Sequence, residues 1–186
     1  MTLAPMQTQA IVRSQQGRAG DSVPHLGVPE IARLAQALEE IGAERHHTRM
    51  TERNVLLLIT LFDGALRVSE GLGLRPVDIQ RTADGWLLSI EGKGRRHRMG
   101  AISPSLAARL QSYAYRYQIG PTELLFPLSR GRAWAIITVA FERAGIQKPP
   151  HVGAVHVLRH SGALWRLTQT GNPKALQDQL GHINAL

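Results

Sequence analysis

Five side chains in this sequence could act together on an anion: Arg67, Lys93, His156, Arg159 and His182. The two guanidiniums offer planar forks of donors matched to phosphate oxygens. The two imidazoles can trade a proton near neutral pH, and a positioned ammonium can protonate a leaving oxygen. Almost no carboxylate stands among them. The set suits a phosphodiester that gains negative charge on the way through its transition state. His156 and Arg159 lie three apart in His156-Val157-Leu158-Arg159, so on a helix they share a face. His160 falls close to that face and is a second-rank candidate.

Each residue also has a plainer reading. Arg67 ends a strongly apolar run, where a guanidinium is costly unless paired, and Glu70 is within helical reach for an ion pair. Lys93 sits between two glycines at the head of Lys93-Gly94-Arg95-Arg96-His97-Arg98, a run that can be simply a solvated hairpin tip. In the functional reading Lys93 points into the site, its glycines permitting close approach, while Arg95, Arg96 and Arg98 meet a DNA backbone. Such contacts give salt-dependent affinity without sequence information. An isolated H-x-x-R arises by chance in many proteins, and His182 alone reads as an ordinary surface histidine.

Composition narrows the choice. The 186 residues hold 22 Lys and Arg against 14 Asp and Glu, a net charge of +8 that points to a polyanionic partner. There is no cysteine, and no histidine pair is set in an H-E-x-x-H frame, so a metal site is discounted. Without G-x-x-x-x-G-K-[ST], nucleotide hydrolysis is unsupported, and no cofactor is expected. The longest apolar run, Val55 to Phe62, is too short to span a bilayer. The N-terminus lacks a basic region leading into an apolar block. Cytoplasmic residence, with no membrane partner, is the expectation.

The elements that must position these residues are mostly helical. Residues 1–27, rich in Gln, Gly, Ser and Pro, read as a flexible tail or linker remnant before a domain over 28–186. Ile31, Leu34, Ala35, Leu38 and Ile41 repeat at helical spacing from Val28 to Gly42, followed by a polar break at Arg45 to Arg49. Thr51 is expected to cap a second helix whose Val55–Phe62 run, apolar on nearly every face, predicts the central buried element. A short helix from about Arg67 ends before Pro76. Trp86–Ile90 and Arg98–Ile102 read as two strands. Helices are expected over Leu106–Tyr117, Arg132–Ala144 and Val155–Thr170, the last two stopped by Gly145 and Gly171, with a final short helix from Asn172-Pro173 to Leu180-Gly181. The spacing of Tyr113, Tyr115 and Tyr117 suits a helix surface or interdomain packing. The fold class is α+β: a mostly helical domain with one small antiparallel sheet.

Order discriminates where single motifs do not. Ala65-Leu66-Arg67-Val68-Ser69-Glu70, then Lys93 in a strand hairpin, His156-Val157-Leu158-Arg159-His160-Ser161 and Leu180-Gly181-His182 resemble, in series, the catalytic domain of tyrosine recombinases, the phage integrase family. The resemblance runs from about Val28 to Asn184, and Leu74-Arg75-Pro76-Val77-Asp78-Ile79 and Leu124-Leu125-Phe126-Pro127 extend it. It implies that Arg67 and Arg159 grip the scissile phosphate of double-stranded DNA, and that Lys93 is the general acid toward the 5′-hydroxyl. His156 would assist proton transfer, His182 would donate to the phosphate, and a tyrosine would form a 3′-phosphotyrosyl link. Members work as homo-oligomers on DNA, with neither metal nor ATP.

Three departures qualify the likeness. The family's tyrosine is expected beyond His182, past Leu186, and Tyr113, Tyr115 and Tyr117 all precede the H-x-x-R motif. Nor can the loose N-terminal residues form the family's helical DNA clamp. Ala65 stands where the family often has glycine. The expectation is a recombinase or integrase catalytic domain lacking the nucleophile's segment, and inactive as it stands. The alternative is a non-catalytic DNA-binding relic or regulator with the same fold.

Overall fold

The computed structural model describes residues 25–92, 97–148 and 152–171. The described residues include α1 (Val28–Glu44), α2 (Thr48–Asp63) and the short α3 (Val68–Leu72), then a single 3-10 turn at Pro76–Asp78. Three strands follow, β1 (Ile79–Thr82), β2 (Gly85–Glu91) and β3 (His97–Ile102), and after them α4 (Pro104–Arg116), α5 (Arg130–Arg143) and α6 (Ala154–Thr170). No described helix is long and apolar enough to cross a membrane.

The expected central helix is α2. Val55, Leu56, Leu57, Leu58, Leu61 and Phe62 are all buried, because α1, α4 and α6 pack around it. α1 contributes Ile31, Leu34 and Leu38, and α4 contributes Leu106, Ala107 and Leu110. α6 approaches α2 at backbone distance. A Cβ placed on Gly162 would stand 1.8 Å from the Phe62 carbonyl oxygen, so only glycine permits this approach. Gly145 (φ 63°) and Gly171 (φ 60°) end α5 and α6 in the left-handed region, as the sequence predicts.

The sheet is antiparallel in the order β1-β2-β3, with Ile79 opposite Leu88 and Leu88 opposite Gly100. Leu88, Ile90 and Ile102 turn to the core. The edge strand β1 escapes the sequence reading because Ile79-Gln80-Arg81-Thr82 has one apolar residue and hence no alternation.

Three other expectations are corrected. Thr51 lies inside α2 rather than capping it. A tight turn with His46 left-handed (φ 54°) starts the helix at Thr48, and the Thr51 hydroxyl donates back to the His47 carbonyl at 2.7 Å. The ordered core begins before Val28, since Leu26 is buried and its N–H donates to Ser161 Oγ at 2.8 Å. Tyr113 is no surface residue. It is buried in the core on α4, whereas Tyr115 is exposed and the Tyr117 hydroxyl donates to Glu52. The expected helix after Asn172 lies outside the described residues.

Candidate phosphate-binding site

The site begins with how the chain leaves α2. Gly64 closes the helix, Ala65 turns in the left-handed region (φ 49°), and the N–H of buried Leu66 donates back to Leu61 at 3.1 Å. Glycine would adopt this conformation without strain, whereas alanine holds it at a cost. The turn sets Arg67 as the residue before α3. There its backbone N–H donates to Glu70 Oε2 at 2.8 Å, so Glu70 reaches back over the helix start as in a capping box.

Glu70 does more than cap. Its side chain is 3% exposed. Oε1 accepts from Arg67 Nη1 at 3.0 Å, and Oε2 accepts from Arg98 Nη2 at 2.9 Å and from Arg159 Nη1 at 3.3 Å. Arg159 Nη1 also donates to the Ala65 carbonyl at 2.9 Å, tying α6 to the turn after α2. Residues 67, 98 and 159 thus converge from α3, β3 and α6 on one carboxylate.

Their exposure differs with their position. Arg67's side chain is half exposed, whereas those of Arg98 and Arg159 are 14% and 8% exposed. Burial, and then the Arg67 guanidinium, pull the Arg159 pKa down to about 10, with Glu70 opposing, so it remains a cation at neutral pH. Burial also lowers that of Arg98 against the opposing pull of Glu70. Among the described residues three guanidiniums share this one carboxylate in a poorly solvated place, so arginine outnumbers carboxylate there. Such a place favours a tetrahedral anion, and favours it more as negative charge develops.

His156 and His160 stand on the exposed side of α6, their ring centroids 6.4 Å apart. Partial burial, then His156 and Arg159, push the His160 imidazole below its ordinary value, so it is neutral at pH 7. Among the described residues no group of three or more His, Asp or Glu could hold a metal ion. Lys93, Arg95, Arg96 and His182 lie outside the described residues.

Arg98 departs from its expected place on the DNA-facing tip. It turns inward because β3 starts beside α3, where the buried carboxylate of Glu70 draws it in. Its Nη1 is buried with no acceptor. Sequence reasoning recognised Glu70 only as an ion-pair partner of Arg67. Its part as a shared centre depends on residues 28 and 89 positions away, for which no local spacing gives a signal.

A second buried carboxylate braces this corner. Asp63 accepts from the Ser103 N–H at 3.1 Å and from the Ser103 hydroxyl, which fixes the start of α4, and it pairs with Arg166 of α6. Arg166 Nε donates to the Asp63 carbonyl at 2.6 Å as well.

Known proteins resemble this chain in sequence and in fold. Residues 26–185 match the phage integrase family. The tyrosine recombinase XerC of Bradyrhizobium diazoefficiens is 34% identical over 155 residues, which is 81% of this chain and 48% of the relative. XerD of Mycobacterium leprae is 31% identical over 175 residues, covering 86% of this chain and 53% of the relative. The chain therefore spans about half the length of the curated relatives it matches. In fold it is similar to the XerH site-specific recombinase in its post-cleavage complex with palindromic difH substrate, with a TM-score of 0.70 at 23% identity over 89% of this chain and 48% of that one. It is also similar to the XerA recombinase, with a TM-score of 0.67 at 22% identity over 92% and 58%. With its ordered motifs, its arginine cluster and a family match over nearly its whole length, the chain belongs to the phage integrase family, as a tyrosine recombinase catalytic domain.

Proposed function

We propose that this domain serves site-specific recombination or integration of double-stranded DNA, breaking and rejoining strands through a 3′-phosphotyrosyl intermediate. The observation that carries the reading is the excess of guanidinium over carboxylate around Glu70. Arg67 and Arg159 hold the non-bridging oxygens of the scissile phosphate and stabilise the added charge of its transition state. A tyrosine hydroxyl attacks phosphorus, passing its proton to His156. The bond from phosphorus to the 5′-oxygen breaks, and Lys93 protonates that oxygen. His182 donates a hydrogen bond to the phosphate. Attack by a 5′-hydroxyl reverses the sequence and reseals a strand, with the energy of the bond conserved. Arg95 and Arg96 contact the DNA backbone, and the complete protein acts as a homo-oligomer on DNA.

Tyr113, Tyr115 and Tyr117 do not supply the attacking hydroxyl. The first is in the core, the second is on the outside of α4, and the third is engaged with Glu52. A nicked suicide duplex incubated with these 186 residues should accordingly give no covalent adduct; an adduct would overturn that assignment. The anion site itself is tested by fluorescence anisotropy on duplex DNA across a salt series. Arg67→Ala should weaken binding and flatten the plot of log K against log salt by about 0.9, the share of one phosphate contact. Unchanged affinity and slope would refute the placement of DNA at this cluster.

A further inference from the structure

Arg98 is the one arginine of the cluster whose place the phosphate chemistry does not explain. Its side chain is 14% exposed, and it gives Nη2 to Glu70 Oε2 at 2.9 Å while its Nη1 is buried without an acceptor. A cation so placed carries a desolvation penalty. Its effect on Glu70 offsets that penalty. Oε2 already accepts from the Arg67 N–H at 2.8 Å and lies 3.3 Å from Arg159 Nη1, the longest of its contacts. Carboxylates and guanidiniums prefer short, bidentate pairing. Were Oε2 not held by Arg98, it would close on Arg159 or Arg67 and occupy donors that a phosphate needs.

We propose that Arg98 is a positioning residue: by holding Glu70 Oε2, it keeps that carboxylate from neutralising the arginines that receive the phosphodiester. It acts through Glu70 without touching DNA. The same bond ties the start of β3 to α3. Glu91 and His97 form the last pair of the β2–β3 ladder, one residue before Arg98, so the root of the connection that contains Lys93 is fixed to the cluster as well. This inference rests on the reading of the cluster as a phosphodiester site, and the test separates the two.

The test measures anisotropy of a fluorescent DNA duplex with the 186-residue chain over a salt series, with near-UV circular dichroism to establish folding. Arg98→Met removes the charge and keeps the aliphatic stem. It should weaken binding about five- to tenfold, a normal coupling between neighbours, while leaving the slope of log K against log salt unchanged. A direct phosphate contact would instead reduce that slope by about 0.9, and such a reduction overturns the proposal, as does unchanged affinity. The double variant Arg98→Met with Glu70→Gln should recover most of the lost affinity, since the amide no longer competes for Arg67 and Arg159. No recovery means that Arg98 does not act through Glu70. If Arg98→Met does not fold, the smaller change Arg98→Gln carries the same slope and rescue measurements. Arg67→Ala run in parallel tests the site: its failure to weaken binding rejects the phosphodiester reading, whereas its success with a lowered Arg98→Met slope rejects only the inference.

Discussion

Gly162→Ala sets helix propensity against packing. In an isolated helix the change is favourable by about 1 kcal/mol. In this protein the new Cβ would lie 1.8 Å from the Phe62 carbonyl oxygen and 2.8 Å from its carbonyl carbon. A carbon approaches a carbonyl oxygen no closer than about 3.3 Å, so α2 and α6 must separate by about 1.5 Å. The obstacle is backbone, and no side-chain rotation relieves it. Overpacking costs about 1–3 kcal/mol; with two helices displaced the upper end applies, and a net loss of about 2 kcal/mol remains after the propensity gain. For a domain of this size that lowers Tm by about 4–8 °C. The same displacement carries Arg159 away from the Ala65 carbonyl, now 2.9 Å distant, so duplex affinity should fall with stability. Thermal unfolding followed at 222 nm, with anisotropy well below Tm, reads both. A variant that melts at or above the parent temperature and binds DNA unchanged would refute the close α2–α6 crossing.

Two further perturbations test the turn and the exposed imidazole. Ala65 is held at φ 49°, so Ala65→Gly relieves about 1 kcal/mol of backbone strain while losing a small buried methyl, and its urea midpoint should stay near the parent's. Ala65→Val, β-branched in the left-handed region, should lose more than about 2 kcal/mol; equal midpoints for all three would mean the turn is not left-handed. His160 titrates below its ordinary value through burial, His156 and Arg159. The unfolded chain therefore binds its proton first, and stability present above pH 6.5 is lost as pH falls through the lower folded value. His160→Gln should show a smaller drop in urea midpoint between neutral pH and pH 5.5 than the parent; identical drops would dismiss His160 as a contributor.

What the sequence makes legible follows from the range of the interactions. The apolar run of α2 and the glycine stops of α5 and α6 are encoded within a few residues, and periodicity reads them. β1 is an edge strand defined by its pairing partner, so its own residues carry little pattern. Leu26 sits in a stretch of polar composition, and its burial depends on Ser161, 135 positions away. Arg98 follows two arginines in a run that reads as a solvated tip, and only its nearness to Glu70 turns it inward. The candidate residues are thus visible one at a time. The carboxylate that Arg67, Arg98 and Arg159 share is visible only in space.

The two buried carboxylates of this corner separate structural pairing from anion binding. Asp63 meets one guanidinium, Arg166, and one helix start, at Ser103; charge is balanced, and the unit needs nothing further. A balanced pair of this kind braces α2, α4 and α6 but has little reason to attract phosphate. Glu70 meets Arg67, Arg98 and Arg159, so among the described residues three guanidiniums gather on one carboxylate. Burial, and then Arg67, lower the Arg159 pKa; Glu70 opposes them, and Arg98 adds a smaller push in the lowering direction. On the proposed function, a phosphodiester would offset that excess of positive charge, and a transition state of greater negative charge would offset more of it. The gathering of arginines on Glu70, against the one-to-one pairing at Asp63, is therefore what recommends this cluster as the anion site of the proposed function.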